Sequence, residues 1–125
     1  MADGFAYAAI APDRAWRQTT LWAHARGLPV AWVGVPWLAL VQGLSEAAWR
    51  AYFAGPEGVR TLGVDLRYPI ILAPDGVTVL DGFHRIALAR CQGVDNLPTV
   101  TLPGLPASDP EAVAAWTVEC AGVGA

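Results

Sequence analysis

Lysine is absent from this chain of 125 residues, and charged residues of either sign make up only 15% of it. Eight arginines face eleven acidic residues, so the formal net charge is −3 at pH 7. A protein that binds duplex DNA by neutralising phosphates needs a basic surface. The composition therefore argues against autonomous DNA binding. The absence of lysine also excludes a Walker-type phosphate loop, because that motif requires one.

Long apolar segments are absent too. The longest uncharged apolar run, residues 28–41, is interrupted by Pro29, Gly34 and Pro36. It is shorter than the roughly 20 apolar residues of a membrane span. The first residues lack the basic start and apolar core of a signal peptide. We therefore expect a cytoplasmic protein that does not enter the membrane.

Cysteine and histidine are scarce, with two of each. Cys91 and Cys120 form no CxxC motif and no disulfide framework, which predicts two buried, reduced thiols. The two histidines lie sixty residues apart with no cysteine pair nearby, which argues against a structural zinc site.

Hydrophobic residues make up 54% of the chain, which predicts a single domain with a real core rather than a disordered chain. Prolines, glycines and capping residues divide the sequence into elements. The predicted order is a helix at 12–26, a strand at 30–35, a helix at 46–54, strands at 68–72 and 77–80, a helix at 83–92, a strand at 98–102 and a last helix from 110 to about 120. Turns are predicted at 55–58 and 74–76.

These elements predict an α+β fold, with a small mixed sheet and packed helices. We expect one domain made of an N-terminal helical extension (1–29), a core (30–102) and a C-terminal helix (107–121). The last helix is opened by the capping box Ser108-x-x-Glu111.

Six tryptophans are many for a chain of this size. Trp49 and Trp116 occupy helical positions that we expect to face the core. Trp32 and Trp37 flank Pro36 in the longest apolar run, and three interpretations stay open for them. They pack in the core, they form a homodimer or protein-partner face, or they stack on a nucleotide base.

The segment from Asp81 to Arg85 carries the most chemical information. A predicted strand ends there, Gly82 frees the backbone, and a helix begins with His84 and Arg85 in its first turn. The N–H groups at a helix start attract anions, and glycine lets a ligand approach the backbone closely. Positively charged side chains at that end interact unfavourably with the helix dipole. A bound phosphate would supply the negative charge that makes their presence favourable.

Structural interpretations of the same residues are equally open. Asp81 is also a candidate N-cap that pairs with Arg85. His84 shares a helical face with Leu88 and Cys91, so it is also a candidate core histidine with satisfied hydrogen bonds.

The run Tyr68-Pro-Ile-Ile-Leu-x-x-Asp-Gly-x-x-x-Leu-Asp-Gly-Phe-His-Arg-Ile-Ala, followed by Ala89, Gly93, Pro98 and Val100, resembles the ParB/sulfiredoxin superfamily. The resemblance covers residues 65–102 well and 30–102 loosely. It implies a ParB-like fold in which the turn holds the phosphates of a nucleoside di- or triphosphate. The residues implied for phosphate binding are Gly82, Phe83 through its backbone N–H, His84 and Arg85.

The resemblance also implies catalytic residues. The Asp-Gly-x-His-Arg form is nearest to the free-serine kinases of the superfamily, in which the acidic residue and the histidine belong to the active site. This implies Asp81 and His84 here, with Mg²⁺ held by Asp81 as an expected cofactor. Those kinases also use an N-terminal glutamate as the base, and Glu46 is the nearest candidate by order, with Asp65 second.

The sequence departs from other members of the superfamily. Sulfiredoxins have a catalytic cysteine where this chain has Phe83, so that reaction is excluded. Partition proteins have two arginines in the turn and continue into a helix-turn-helix domain, whereas only about 20 residues follow the last predicted strand here. DNA partition or nuclease activity is therefore disfavoured.

We expect a nucleotide-binding protein that acts as a phosphotransferase or nucleotide hydrolase on a small molecule. The alternative is a non-catalytic module that senses a nucleotide or binds a protein partner.

Overall fold

The computed structural model describes residues 7–11, 14–54 and 64–124. They form both helices and strands, which confirms the predicted α+β class. In chain order the elements are β1 (Tyr7–Ala11), β2 (Arg14–Arg17), α1 (Gln18–Ala25), β3 (Ala31–Gly34), α2 (Val35–Leu40), α3 (Glu46–Ala54), β4 (Ile70–Leu72), β5 (Val79–Asp81), α4 (Phe83–Gln92), β6 (Asn96–Thr101) and α5 (Pro110–Gly124). The turn predicted at 55–58 lies outside the described residues.

Four strands form the central sheet in the order β3-β6-β4-β5. β6 runs antiparallel to β3 and parallel to β4, and β4 runs antiparallel to β5. The connection from β4 to its parallel neighbour β6 contains β5 and α4, which supplies the long crossover that parallel strands need. The predicted small mixed sheet is confirmed, and the crossover places the β5–α4 turn beside the middle of the sheet.

The segment Arg14–Arg17 is a strand, so the predicted helix 12–26 is wrong over its first part. β2 pairs with β1 in an antiparallel hairpin, and a helix begins only at α1. Trp16 is 1% exposed, and its indole N–H donates to the Pro106 carbonyl at 2.9 Å. Tertiary partners some ninety residues away therefore override the local helical pattern.

The strand predicted at 30–35 is confirmed as β3. Pro36 follows it in the sequence but lies within a helix rather than in a loop. A short helix, α2, begins at Val35 with proline in its first turn. Proline fits this position because the first N–H groups of a helix have no partner within the helix. α2 is absent from the elements predicted from the sequence.

Two hydrophobic clusters cover the two faces of the sheet. Alternate residues of β4 point to opposite faces, so this strand is buried on both sides. The first cluster joins α2, α3 and α4 through Val35, Leu38, Ala39, Trp49, Ile70, Leu72, Ile86, Ala87, Ala89 and Leu97. The second joins the hairpin and α1 to the sheet through Trp16, Leu21, Ile71, Ala73, Leu80 and Leu102.

The tryptophans separate into buried and exposed positions. Trp49 is 2% exposed, as predicted for a core residue, and Trp116 is half-buried. Trp32 on β3 is 71% exposed and Trp37 on α2 is 42% exposed. Core packing is therefore the wrong interpretation for Trp32.

α5 begins at Pro110, as predicted, and continues to Gly124, beyond the predicted end near Cys120. The Asp109 carboxylate accepts hydrogen bonds from the Arg17 backbone N–H at 2.8 Å and from the Thr20 hydroxyl at 2.7 Å. These bonds hold the start of α5 against β2 and α1.

Cys91 is exposed and forms no disulfide, so the predicted burial of this thiol is wrong. It lies near the end of α4, next to exposed Gln92, where the helix leaves the core. The side chain of Cys120 lies outside the described residues. Within the described parts of the chain, no helix has the length and apolar character to cross a membrane.

Candidate functional site

The turn between β5 and α4 requires glycine at position 82. Gly82 has a φ of 113°, a conformation that side chains disfavour. A Cβ built there would lie 2.5 Å from Ile70 Cδ1 and 3.0 Å from Arg85 Nη2. Gly82 is also the N-cap of α4, and no side chain caps the helix from that position. The backbone N–H groups of the first turn are therefore not screened by a capping side chain.

Asp81 accepts three hydrogen bonds from side chains on two helices. Its Oδ1 accepts from Gln18 Nε2 at 2.7 Å, and its Oδ2 accepts from Trp22 Nε1 at 2.8 Å. Arg85 Nη2 donates to the same Oδ2 at 2.9 Å. A carboxylate has about four lone-pair sites, so roughly one is left. The predicted pairing of Asp81 with Arg85 is confirmed, whereas the N-cap is Gly82 and not Asp81.

Arg85 lies behind the turn and is only 8% exposed. Besides Asp81, its Nη2 donates to the Pro69 carbonyl at 2.9 Å. Its Nε is buried, with no hydrogen-bond partner among the described residues. A buried guanidinium needs a paired carboxylate and further hydrogen bonds, and Asp81 and Pro69 supply both. Arg85 therefore ties the start of α4 to the residue before β4.

A cavity of about 220 Å³ opens beside this turn, between the hairpin, α1 and the sheet. Asp81, Gly82, Phe83 and His84 all line it, so the structure brings together four of the predicted site residues. The remaining lining residues are Ala8, Gln18, Leu21, Val79 and Leu80. Arg85 is not among the lining residues.

Glu46 is not brought to the turn. It forms an ion pair with Arg90 on α4, six residues beyond His84 and therefore roughly 9 Å further along the helix. Arg90 in turn lies over the Trp49 ring, 5.1 Å from its centroid. A base at Glu46 would act at the other end of α4 from the Asp81 carboxylate.

Glu46 instead lines a second cavity of about 580 Å³, which α2, α3 and the end of α4 enclose. Trp49 forms part of its wall and stacks on Phe83, with ring centroids 5.4 Å apart and planes 7° apart. Phe83 also lines the smaller cavity, so the stacked pair includes one lining residue of each cavity.

Asp65, the second candidate for the base, is held by Arg67. The guanidinium donates to both carboxylate oxygens, and the Arg67 backbone N–H donates to Oδ1. The side-chain hydrogen bond from Arg67, with help from the backbone one, lowers the pKa of Asp65 to about 2. A carboxylate with so low a pKa is a weak general base near neutral pH.

The residues around Asp81 fit a directly bound metal poorly. Trp22 and the positively charged Arg85 donate to Oδ2, and Gln18 donates to Oδ1. Within residues 7–11, 14–54 and 64–124, no three histidine, cysteine or acidic side chains cluster as metal ligands do. The binding of Mg²⁺ by Asp81 therefore stays a prediction.

Three groups of this site are not predicted from the sequence: the side chains of Gln18 and Trp22 and the carbonyl of Pro69. The four-residue spacing of Gln18 and Trp22 puts them on one face of α1. Nothing local indicates that this face meets a carboxylate about sixty residues away, so only the tertiary structure reveals it.

Comparisons with family models, curated proteins and solved structures gave no match to this chain. The resemblance to the ParB/sulfiredoxin superfamily therefore rests on the motif residues alone.

Proposed function

We propose that this chain binds a phosphorylated small molecule, expected to be a nucleoside di- or triphosphate, at the start of α4. The observation that carries the proposal is the Gly82 turn, which leaves the first turn of α4 without an N-cap side chain beside a cavity. Helix N-termini of this kind attract phosphate through N–H groups and the helix dipole. His84 lines the same cavity and adds a side chain able to donate to a phosphate oxygen.

The size of the cavity limits which part of the ligand it holds. Pockets that enclose a drug-sized molecule measure about 300–1,000 Å³. At about 220 Å³, this cavity is smaller, so it would take the phosphate end and leave the remainder of the ligand outside. Recognition of a base would then depend on residues at the rim, such as half-exposed Trp22.

Arg85 contributes from behind the turn. Its Nη2 lies 3.0 Å from the position of a Gly82 Cβ, but the group is already engaged by Asp81 and Pro69. In this proposal Arg85 is a positioning residue that fixes the Asp81–Gly82 backbone, and the backbone N–H groups and His84 contact the phosphate.

The hydrogen bonds of Asp81 favour a second candidate, a non-catalytic nucleotide-sensing or protein-interaction module. A kinase or hydrolase would use Asp81 as a base or as a Mg²⁺ ligand, and three donors already occupy most of the lone pairs of this carboxylate. For a module of this second kind, the exposed tryptophans on β3 and α2 offer a partner surface. DNA partition or nuclease activity is disfavoured by the acidic charge.

The proposal includes a cytoplasmic location. Its support is the unpaired, exposed thiol of Cys91, which suits a reducing compartment, and the phosphorylated ligand itself.

Calorimetric titration with ATP, ADP, CTP, GTP and pyrophosphate, with and without Mg²⁺, tests the proposal. His84→Ala should weaken phosphate binding at least about tenfold. His24→Ala is the matched control, because His24 lies exposed on α1, where its ring hydrogen-bonds with the Thr20 carbonyl of the same helix. Absence of binding by every ligand, or equal weakening by both variants, would refute the site.

Turnover of the bound nucleotide distinguishes the two candidates. Release of phosphate that requires Asp81 would establish the catalytic version. Tight binding without turnover, with or without Mg²⁺, would establish the sensing module.

A further inference from the structure

β3 is an edge strand, and the residues whose peptide groups face the open edge can be identified from its pairing with β6. Among the described strands it pairs only with β6. The Val35 N–H donates to the Asp95 carbonyl at 2.8 Å, which continues the antiparallel register beyond β3. In such a ladder every second residue bonds to the neighbouring strand. Ala31 and Val33 therefore bond to β6, and the N–H and C=O groups of Trp32 and Gly34 point to the open edge.

The residue opposite Trp32 independently fixes this assignment. Trp32 is in register with Pro98 of β6. Proline has no N–H, so this pair cannot exchange two hydrogen bonds. The polar groups of Trp32 are therefore directed away from β6.

Apart from its short length, this edge lacks the devices that usually prevent pairing. Natural edge strands are protected by charges, inward-pointing polar residues, prolines or bulges. Residues 28–41 contain no charged side chain, and Pro29 and Pro36 stand outside the stretch 30–34. Trp32, in the middle of that stretch, is 71% exposed.

Gly34 is the N-cap of α2, a position that glycine fills readily, but the conformation there does not require glycine. Its φ is −61°, which any residue adopts, and a Cβ built on it meets nothing within 4 Å. Because side chains alternate along a strand, a side chain here would lie on the same face as Trp32.

We propose that β3 pairs antiparallel with β3 of a second copy, with the two-fold axis at Trp32. Of the registers available between Pro29 and Pro36, this one pairs the most outward N–H and C=O groups. It places Trp32 directly opposite its symmetry mate as a hydrogen-bonded pair, which keeps the two indoles within reach of an aromatic cross-strand contact. It also places Val30 opposite Gly34, where the missing side chain leaves room.

A second copy suits this edge better than an unrelated partner. Residues 28–41 carry no charge, so no side chain of this stretch would be repelled by its own copy across a two-fold axis. The net charge of −3 comes from the rest of the chain. The pairing closes on itself, because it joins two four-stranded sheets and leaves only the β5 strands at the ends. Each β5 already has β1 and α1 packed against it.

The paired strand is short, so the dimer should be concentration-dependent. Standard interfaces bury about 800 Å² per partner, and a tryptophan supplies about 150–250 Å² of that. Among the described residues, the exposed large hydrophobic side chains of this paired stretch are Val30 and Trp32, at 51% and 71% exposed. We therefore expect reversible association at micromolar concentrations, rather than an obligate dimer.

Sedimentation velocity on the full chain over about 1–200 μM measures the association. Wild type should shift from the monomer mass of 13.2 kDa to twice that value. Gly34→Pro is the decisive variant, because the φ of −61° suits proline and the Gly34 N–H is not bonded to β6. It should raise the dissociation constant at least about tenfold, whereas Gly34→Ala, which keeps the N–H, should still dimerise.

A second pair of variants tests the tryptophan contact. Trp32→Arg should abolish the dimer, and Trp37→Arg, which changes an exposed tryptophan on α2, should retain it. Circular dichroism checks that each variant is folded. If Trp32→Arg is not folded, the comparison of Gly34→Pro with Gly34→Ala decides whether the proposed dimer exists. A wild type that stays monomeric overturns the proposal, as do species larger than a dimer. Equal loss from Trp32→Arg and Trp37→Arg, or an unaffected Gly34→Pro dimer, would also overturn it.

Discussion

Asp81 and Arg85 form an ion pair of 2.9 Å in which each side chain is only 10% exposed. The pair spans one turn of backbone, from the last residue of β5 to the third residue of α4. Three further groups complete it: the donors Gln18 and Trp22 on Asp81 and the Pro69 carbonyl on Arg85. A motif that suggests catalysis in sequence thus also functions as a structural link between α1, the sheet and α4.

Breaking this pair should strongly destabilise the protein. Arg85→Met leaves the Asp81 charge buried with only two neutral donors, and such changes cost about 3–5 kcal/mol. Urea unfolding followed by circular dichroism measures the loss. Arg67→Met is the control, since its ion pair with Asp65 is similar in length at 2.8 Å but the arginine side chain is 90% exposed. Similar losses for the two variants would contradict a special role for the buried pair.

Two glycines at the ends of α4 should respond differently to alanine. Gly82→Ala and Gly93→Ala both place a side chain at positive φ, which costs about 1–2 kcal/mol. Only at Gly82 does the new Cβ meet Ile70, at 2.5 Å, whereas at Gly93 it meets nothing within 4 Å. We expect Gly82→Ala to cost about 1–3 kcal/mol more than Gly93→Ala in thermal or urea unfolding. Equal costs would show that the turn has more room than the structure indicates.

Local signals predicted the part of the fold from β4 to β6 well. The helix predicted at 83–92 matches α4, because a glycine at positive φ stands at each of its ends. The turn at 74–76 is formed by Asp75, whose carboxylate accepts the N–H groups of Val77 and Thr78. Each of these features depends on residues within a few positions, which is why sequence reasoning finds them.

The N-terminal third could not be predicted in the same way. β2 exists because it pairs with β1 and buries Trp16, and its register is held by Pro106 and Asp109 from the other end of the chain. The candidate site shows the same division. The run from Asp81 to His84 does line one cavity, but the separation of Glu46 from it depends on how α3 packs on α4.

The carboxyl group of Asp65 gives a pH-dependent prediction. Its pKa is lowered to about 2, so its contribution to stability is complete above its ordinary value of 3.8 and is lost as pH falls toward 2. Arg67→Met removes the largest cause, the side-chain hydrogen bond, but keeps the backbone one. We expect the pKa of Asp65 to rise only part of the way back, measured by carbon-detected NMR titration. Asp75, held low by Thr78, is the internal control and should not move.

The hairpin itself can be tested through the indole of Trp16. Trp16→Phe keeps most of the buried ring but removes the N–H that donates to the Pro106 carbonyl at 2.9 Å. The carbonyl would then be left without that donor, which costs about 1–3 kcal/mol when the group is buried. Trp37→Phe, at a half-exposed site on α2, should cost less than about 0.5 kcal/mol. Equal small effects would indicate that residues 14–17 follow the helical pattern of the sequence and not β2, because a helix there would release Trp16 from Pro106.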